Sequence, residues 1–82
     1  MASGTTLSFE LEASEHVVLR VHDASGRVVA TLLDGRLAAG PHRIEWNGTA
    51  GDGVRVPAGA YLLSLKRHDG LQMARKVTVL GD

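Results

Sequence analysis

Leu7-Ser8-Phe9-Glu10-Leu11-Glu12 alternates apolar and polar side chains without a miss. That period of two puts one face of a strand into a core and the other into water. The alternation returns at Val17, Leu19 and Val21 against His16, Arg20 and His22, and again at Ile44 and Trp46 against Arg43 and Glu45. Tyr61, Leu63 and Leu65 supply another inward face. Turn signals stand between these runs. Asp23-Ala24-Ser25-Gly26 opens on Asp and closes on Gly, which suits a type I turn followed by a bulge. Ala38-Ala39-Gly40-Pro41 reads as a break, and residues 47–56 as a polar, glycine-rich loop. Asp69-Gly70 is the strongest hairpin signal, because both turn positions tolerate positive φ, and it predicts that the strands on either side pair. No stretch combines helical spacing with a cap. The sequence therefore predicts an all-β, antiparallel sandwich or barrel of about six to seven strands and no helices.

Two segments resist a simple reading. Residues 27–33 are apolar without clean alternation, as in a strand that carries a bulge or changes sheets. In the last strand Val77 and Val79 point one way, and strict alternation would place Arg75 with them. A bulge or twist near Ala74 is expected there.

At 82 residues the chain has room for one domain, and a domain of that size buries only roughly 60–65% of the surface its unfolded chain exposes. With 44% hydrophobic residues and no cysteine, stability must come from packing. Nine Lys plus Arg balance nine Asp plus Glu, so no long-range field draws in nucleic acid or an anionic membrane. No apolar run approaches the roughly 20 residues of a membrane-spanning helix. Met1-Ala2-Ser3-Gly4 lacks the charged and apolar regions of a secretory signal and reads as an appended leader,. Residues 5–82 then form a single β domain.

Three segments together carry a family resemblance: Val21-His22-Asp23-Ala24-Ser25-Gly26-Arg27-Val28-Val29, Trp46-Asn47-Gly48 with Gly53, and Val56-Pro57-Ala58-Gly59-Ala60-Tyr61. The pattern resembles the immunoglobulin-like domain of the flagellar hook-capping protein (FlgD-type), over residues 5–80. It is also similar to the C-terminal sorting domains of the type IX secretion system, which share that sandwich and end in a Lys-containing strand such as Arg75-Lys76-Val77-Thr78-Val79-Leu80. The resemblance implies an immunoglobulin-like β-sandwich without cofactor. It also implies a parent protein exported to the cell surface or beyond, and a protein partner, either secretion or attachment machinery or neighbouring domains. Physically, Gly26 and Gly59 are expected where side chains would strain the backbone, Pro57 to stiffen a loop exit, and Trp46 and Tyr61 to anchor the core. Ala50 stands where the family often carries Asp or Asn.

Candidate chemistry is sparse. His16 and His22 share a strand face but lie roughly 20 Å apart at about 3.3 Å per residue, and with His42 and His68 they lack carboxylates or thiols at ligand spacing. Asn47–Gly53 offers only Asp52 as a carboxylate, too little for calcium. Asn47-Gly48-Thr49 matches a glycosylation sequon but reads as a turn. Ser8 and Ser64 fall on outward strand positions and Ser14 and Ser25 in turns, none in a nucleophile elbow. The sequence thus predicts a non-catalytic accessory domain acting in sorting or attachment, with a structural spacer or assembly domain as the alternative. The candidate interaction surface is the last hairpin with Lys66, Arg67, Arg75 and Lys76, where an edge strand presents backbone groups and positive charge. A monomer is expected, with strand-paired dimers open to it.

Overall fold

The computed structural model describes residues 5–67, 70 and 72–80. Within them the chain forms six strands: β1 (Thr5–Leu11), β2 (Glu15–Asp23), β3 (Val28–Leu37), β4 (Gly40–Trp46), β5 (Gly59–Arg67) and β6 (Gln72–Val79). β1 and β4 make a two-stranded antiparallel sheet, and the other strands make a four-stranded antiparallel sheet in the order β3-β2-β5-β6. No helix occurs among the described residues. The alternating runs become the facing walls of the sandwich: Leu7, Phe9, Leu11 and Trp46 from one sheet meet Val17, Leu19, Val21, Tyr61, Leu63 and Leu65 from the other. Ala30, Val77 and Val79 complete the buried cluster.

β3 is a bulged edge strand. Leu19 pairs with Leu33 but Arg20 with Thr31, and Val21 pairs with Ala30 but His22 with Val28. Leu32 and Val29 are the extra residues, and both still pack against the core. The two insertions explain why alternation fails in 27–33, and the strand stays beside β2.

Two sequence readings are corrected. Gly40 and Pro41 belong to β4, since Glu10 faces Pro41 and Leu11 faces Gly40. In a two-stranded sheet both strands are edges, where a proline's missing N–H is tolerated, so only residues 38 and 39 form the break. Second, no register shift occurs near Ala74: β5 and β6 pair without interruption from Gly59↔Val79 to Lys66↔Gln72. Alternation is strict, so Met73 and Arg75 lie on the inner face with Val77. They stay exposed because two strands do not cover the full width of four. The β5–β6 pairing predicted from Asp69-Gly70 is present, and Asp69 itself lies outside the described residues. Gly70 has φ 87°, and its N–H donates to the Arg67 carbonyl at 3.0 Å.

Candidate interaction surface

The motif residues, scattered through the sequence, converge at one end of the sandwich. Asp23 closes β2, and its Oδ1 accepts from the Ser25 N–H (3.0 Å), the Ser25 hydroxyl (2.6 Å) and the Arg27 N–H (3.0 Å). The Ser25 hydroxyl bond is the main reason that its carboxyl is held below the ordinary aspartate value, and the Arg27 N–H comes next. The Gly26 N–H donates to the Asp23 carbonyl at 2.9 Å, and Gly26 takes φ 91°, the left-handed conformation that L side chains enter only at a cost. This is the expected type I turn with its glycine bulge.

Trp46, 1% exposed, donates from Nε1 to the Thr49 carbonyl at 2.8 Å. The Thr49 hydroxyl donates to Asn47 Oδ1 at 2.7 Å, so the apparent sequon is built as a turn. Buried Gly48 accepts from the Val56 N–H at 2.9 Å, and Gly53 donates to the Ala50 carbonyl at 2.9 Å. Ala50 enters this small hairpin through its backbone, and Asp52 supplies the carboxylate, accepting from the Val54 N–H at 3.0 Å. The Gly51 N–H ties the loop to β3 through the Val29 carbonyl at 3.0 Å. The Tyr61 hydroxyl donates to the Pro57 carbonyl at 2.6 Å, the tyrosine corner that pins a crossing loop to the strand it enters. Gly59, with φ 153°, turns the chain between them. The rings of Trp46 and Tyr61 meet at 5.5 Å, tilted by 59°.

The four candidate cations do not share one surface. Arg67 faces inward at the far end of β5, where its Nη2 lies 3.1 Å from Glu15 Oε2, and Arg75 lies on the inner face of β6. Lys66 and Lys76 lie on the outer face of the four-stranded sheet. Neighbours in sequence alternate faces, so a run of charge on a strand divides. The histidines have local partners: His16 Nε2 meets Asp34 Oδ1 at 2.7 Å, and His42 bonds the Ala38 carbonyl at 2.7 Å and stacks on Phe9 at 5.6 Å. His22 Nε2 lies 2.9 Å from the Ser64 hydroxyl. His68 lies outside the described residues.

The pairing registers lay out that outer face as rows. Asp34, Val18, Lys66 and Gln72 form one; Thr31, Arg20, Ser64 and Ala74 the next; Val28, His22, Leu62 and Lys76 the third. Ala60 faces Thr78 beyond them. Leu62 is 39% exposed and Val28 47%. An open groove of about 520 Å3 lies along the last rows, lined by His22, Gly26, Ala60, Tyr61, Leu62 and Lys76. Sequence reasoning missed this grouping. Alternation marks Arg20 and Leu62 as outward, but only the β2-β5-β6 order places them beside Lys76.

The FlgD Ig-like domain family matches residues 1–70. The basal-body rod modification protein FlgD of Salmonella typhimurium LT2 is 37% identical over 71 residues, 85% of this chain and 31% of that protein. Its Escherichia coli K12 counterpart is 36% identical over 69 residues, 80% of this chain and 30% of that protein. The chain thus spans about a third of the curated relatives it matches. Among solved structures, FlgD from Pseudomonas aeruginosa superposes with a TM-score of 0.67 at 28% identity, over 95% of this chain and 61% of that one. FlgD from Xanthomonas campestris, whose structure bears on the hook capping essential for flagellar assembly, has the same fold, with a TM-score of 0.67 at 24% identity over 94% of this chain and 57% of that one. These likenesses fall on the hook-capping side of the resemblance and lend no support to the type IX sorting side.

Proposed function

The chain belongs to the FlgD Ig-like domain family, and on that premise we propose that it is a non-catalytic assembly domain of a longer, exported flagellar protein of the hook-capping kind. It acts as a rigid module that holds neighbouring domains or subunits at fixed geometry. The match over residues 1–70 is the observation that carries this reading. The motif supports it: Asp23, Trp46, Asn47 and Tyr61 direct their polar groups at the domain's own backbone and side chains, a device for stiffness. Sheet faces and edges remain as the surfaces a partner can read, including the straight edge β6 with Arg75 and Lys76.

The test is a chimera in which this chain replaces the matching segment of the Salmonella protein, set beside a deletion of that segment. An assembly domain predicts that the deletion blocks hook growth while export of the truncated protein continues, and that the chimera restores at least part of it. Hooks of normal length after deletion would refute the reading. Loss of export with assembly unaffected would instead favour the sorting role.

A further inference from the structure

We propose that the outer face of the four-stranded sheet docks an acidic segment of a protein partner, which seats an apolar side chain over Leu62 and sets carboxylates against Arg20, Lys66 and Lys76. The proposal deepens the assembly reading by naming the contact surface and the chemistry of what it meets.

Charge complementarity carries it. The chain as a whole is balanced, yet this face holds Arg20, Arg36, Lys66 and Lys76 against the carboxylate of Asp34, which is already engaged by His16 at 2.7 Å. Arg36 is held by the Ser14 hydroxyl at 3.1 Å. Arg20, Lys66 and Lys76 have no anionic partner among the described residues. Leu62 sits directly opposite His22 and Lys76, with Arg20 on the diagonal, where long side chains on adjacent strands reach one another. Asp23, at the end of the groove, has its own cation, with Arg27 Nε 3.5 Å from its Oδ2. The result is an apolar spot with Lys76 directly beside it and Arg20 on the diagonal.

The rows span roughly 15 Å across strands and 20 Å along them, well below the ~800 Å2 per partner of a standard stable interface. A single contact should therefore be weak, and useful affinity would arise from several copies acting together.

The experiment is an NMR titration of the labelled chain with a short blocked peptide carrying one leucine flanked by glutamates. A glutamine analogue, a lysine analogue and a short DNA duplex are the comparisons. Amide shifts are expected at Arg20, Leu62, Ser64 and Lys76, absent with the glutamine and lysine peptides. Lys76→Glu, at an exposed position, combined with the milder Arg20→Gln should weaken binding about tenfold, as the loss of two exposed ion pairs, with the melting temperature unchanged as a folding control. Several outcomes would overturn the proposal: shifts mapping elsewhere, equal binding of the glutamine peptide, no effect of the variants, or tighter binding of DNA. Shifts of the same amides with protein concentration alone would assign the face to a second copy and also overturn it. A flat titration overturns the proposal but leaves the hook-growth test of the assembly reading unaffected, and a failed chimera leaves this titration valid.

Discussion

Tyr61→Phe isolates the tyrosine corner from the core beneath it. The substitution removes one hydroxyl whose bond to the Pro57 carbonyl is 2.6 Å and leaves the ring against Trp46 at 5.5 Å. A neutral hydrogen bond contributes about 0.5–1.5 kcal/mol net, with a larger penalty only when the orphaned partner stays dry. Pro57 is exposed, so water can take the place of the hydroxyl, and a loss of about 1 kcal/mol is expected. In a domain of this size that lowers Tm by roughly 4–8 °C. With an m-value near 1 kcal/mol/M it moves the urea midpoint by about 1 M. Thermal and urea unfolding followed by circular dichroism measure both. Tyr61→Leu should lose about 2–4 kcal/mol, because packing against Trp46 goes as well. If Tyr61→Phe matches the parent within about 0.2 kcal/mol, the corner contributes nothing. A changed m-value would show that the substitution disturbs more than one bond.

Trp46→Ala should cost about 3–5 kcal/mol against a total stability of roughly 4–12 kcal/mol for this length, and a native-like spread of amide resonances in that variant would contradict its place in the core. Gly26→Ala should cost about 1–2 kcal/mol through backbone conformation alone, since a Cβ there meets nothing within 4 Å; an unchanged urea midpoint would rule out the left-handed turn. Asp23 titrates below its ordinary value when folded, so its contribution to stability is present above the unfolded aspartate pKa of about 3.9 and is lost as pH falls through the lower folded value. Asp23→Ala should therefore narrow the stability gap between neutral and acidic pH, and an unaltered acid-unfolding profile would refute that.

The legibility of this fold tracks how many faces each strand buries. β1, β2 and β5 each bury one face and wet the other, so Leu7, Val17 and Tyr61 announce their strands. β3 hid because its bulges at Val29 and Leu32 each add a residue to the count. Arg75 misled because charge was equated with an outward position, whereas here an inward position stays exposed where the smaller sheet ends. The paired cations of the last hairpin were visible, but their division between faces follows from a period of two. The Arg20, Leu62 and Lys76 grouping needed strand order, which no local pattern carries.

The family signature and the candidate docking face adjoin at the groove, which Gly26 and Tyr61 line together with Leu62 and Lys76, but their polar groups have different fates. Asp23, Gly26, Trp46, Asn47 and Tyr61 are recognisable because a tight turn, a left-handed glycine, an indole bond and a tyrosine corner tolerate few substitutes. Their demands are met by the domain's own backbone and side chains. A partner meeting that end finds polar groups already bonded, and displacing them would first cost the stability they provide. The outer face has the opposite character: Arg20 and Lys76 have no anionic partner among the described residues, Leu62 is 39% exposed, and none of the three belongs to the buried cluster. Substitutions on that face leave the turn, indole and tyrosine-corner bonds in place, so the fold and the proposed contact can be tested separately.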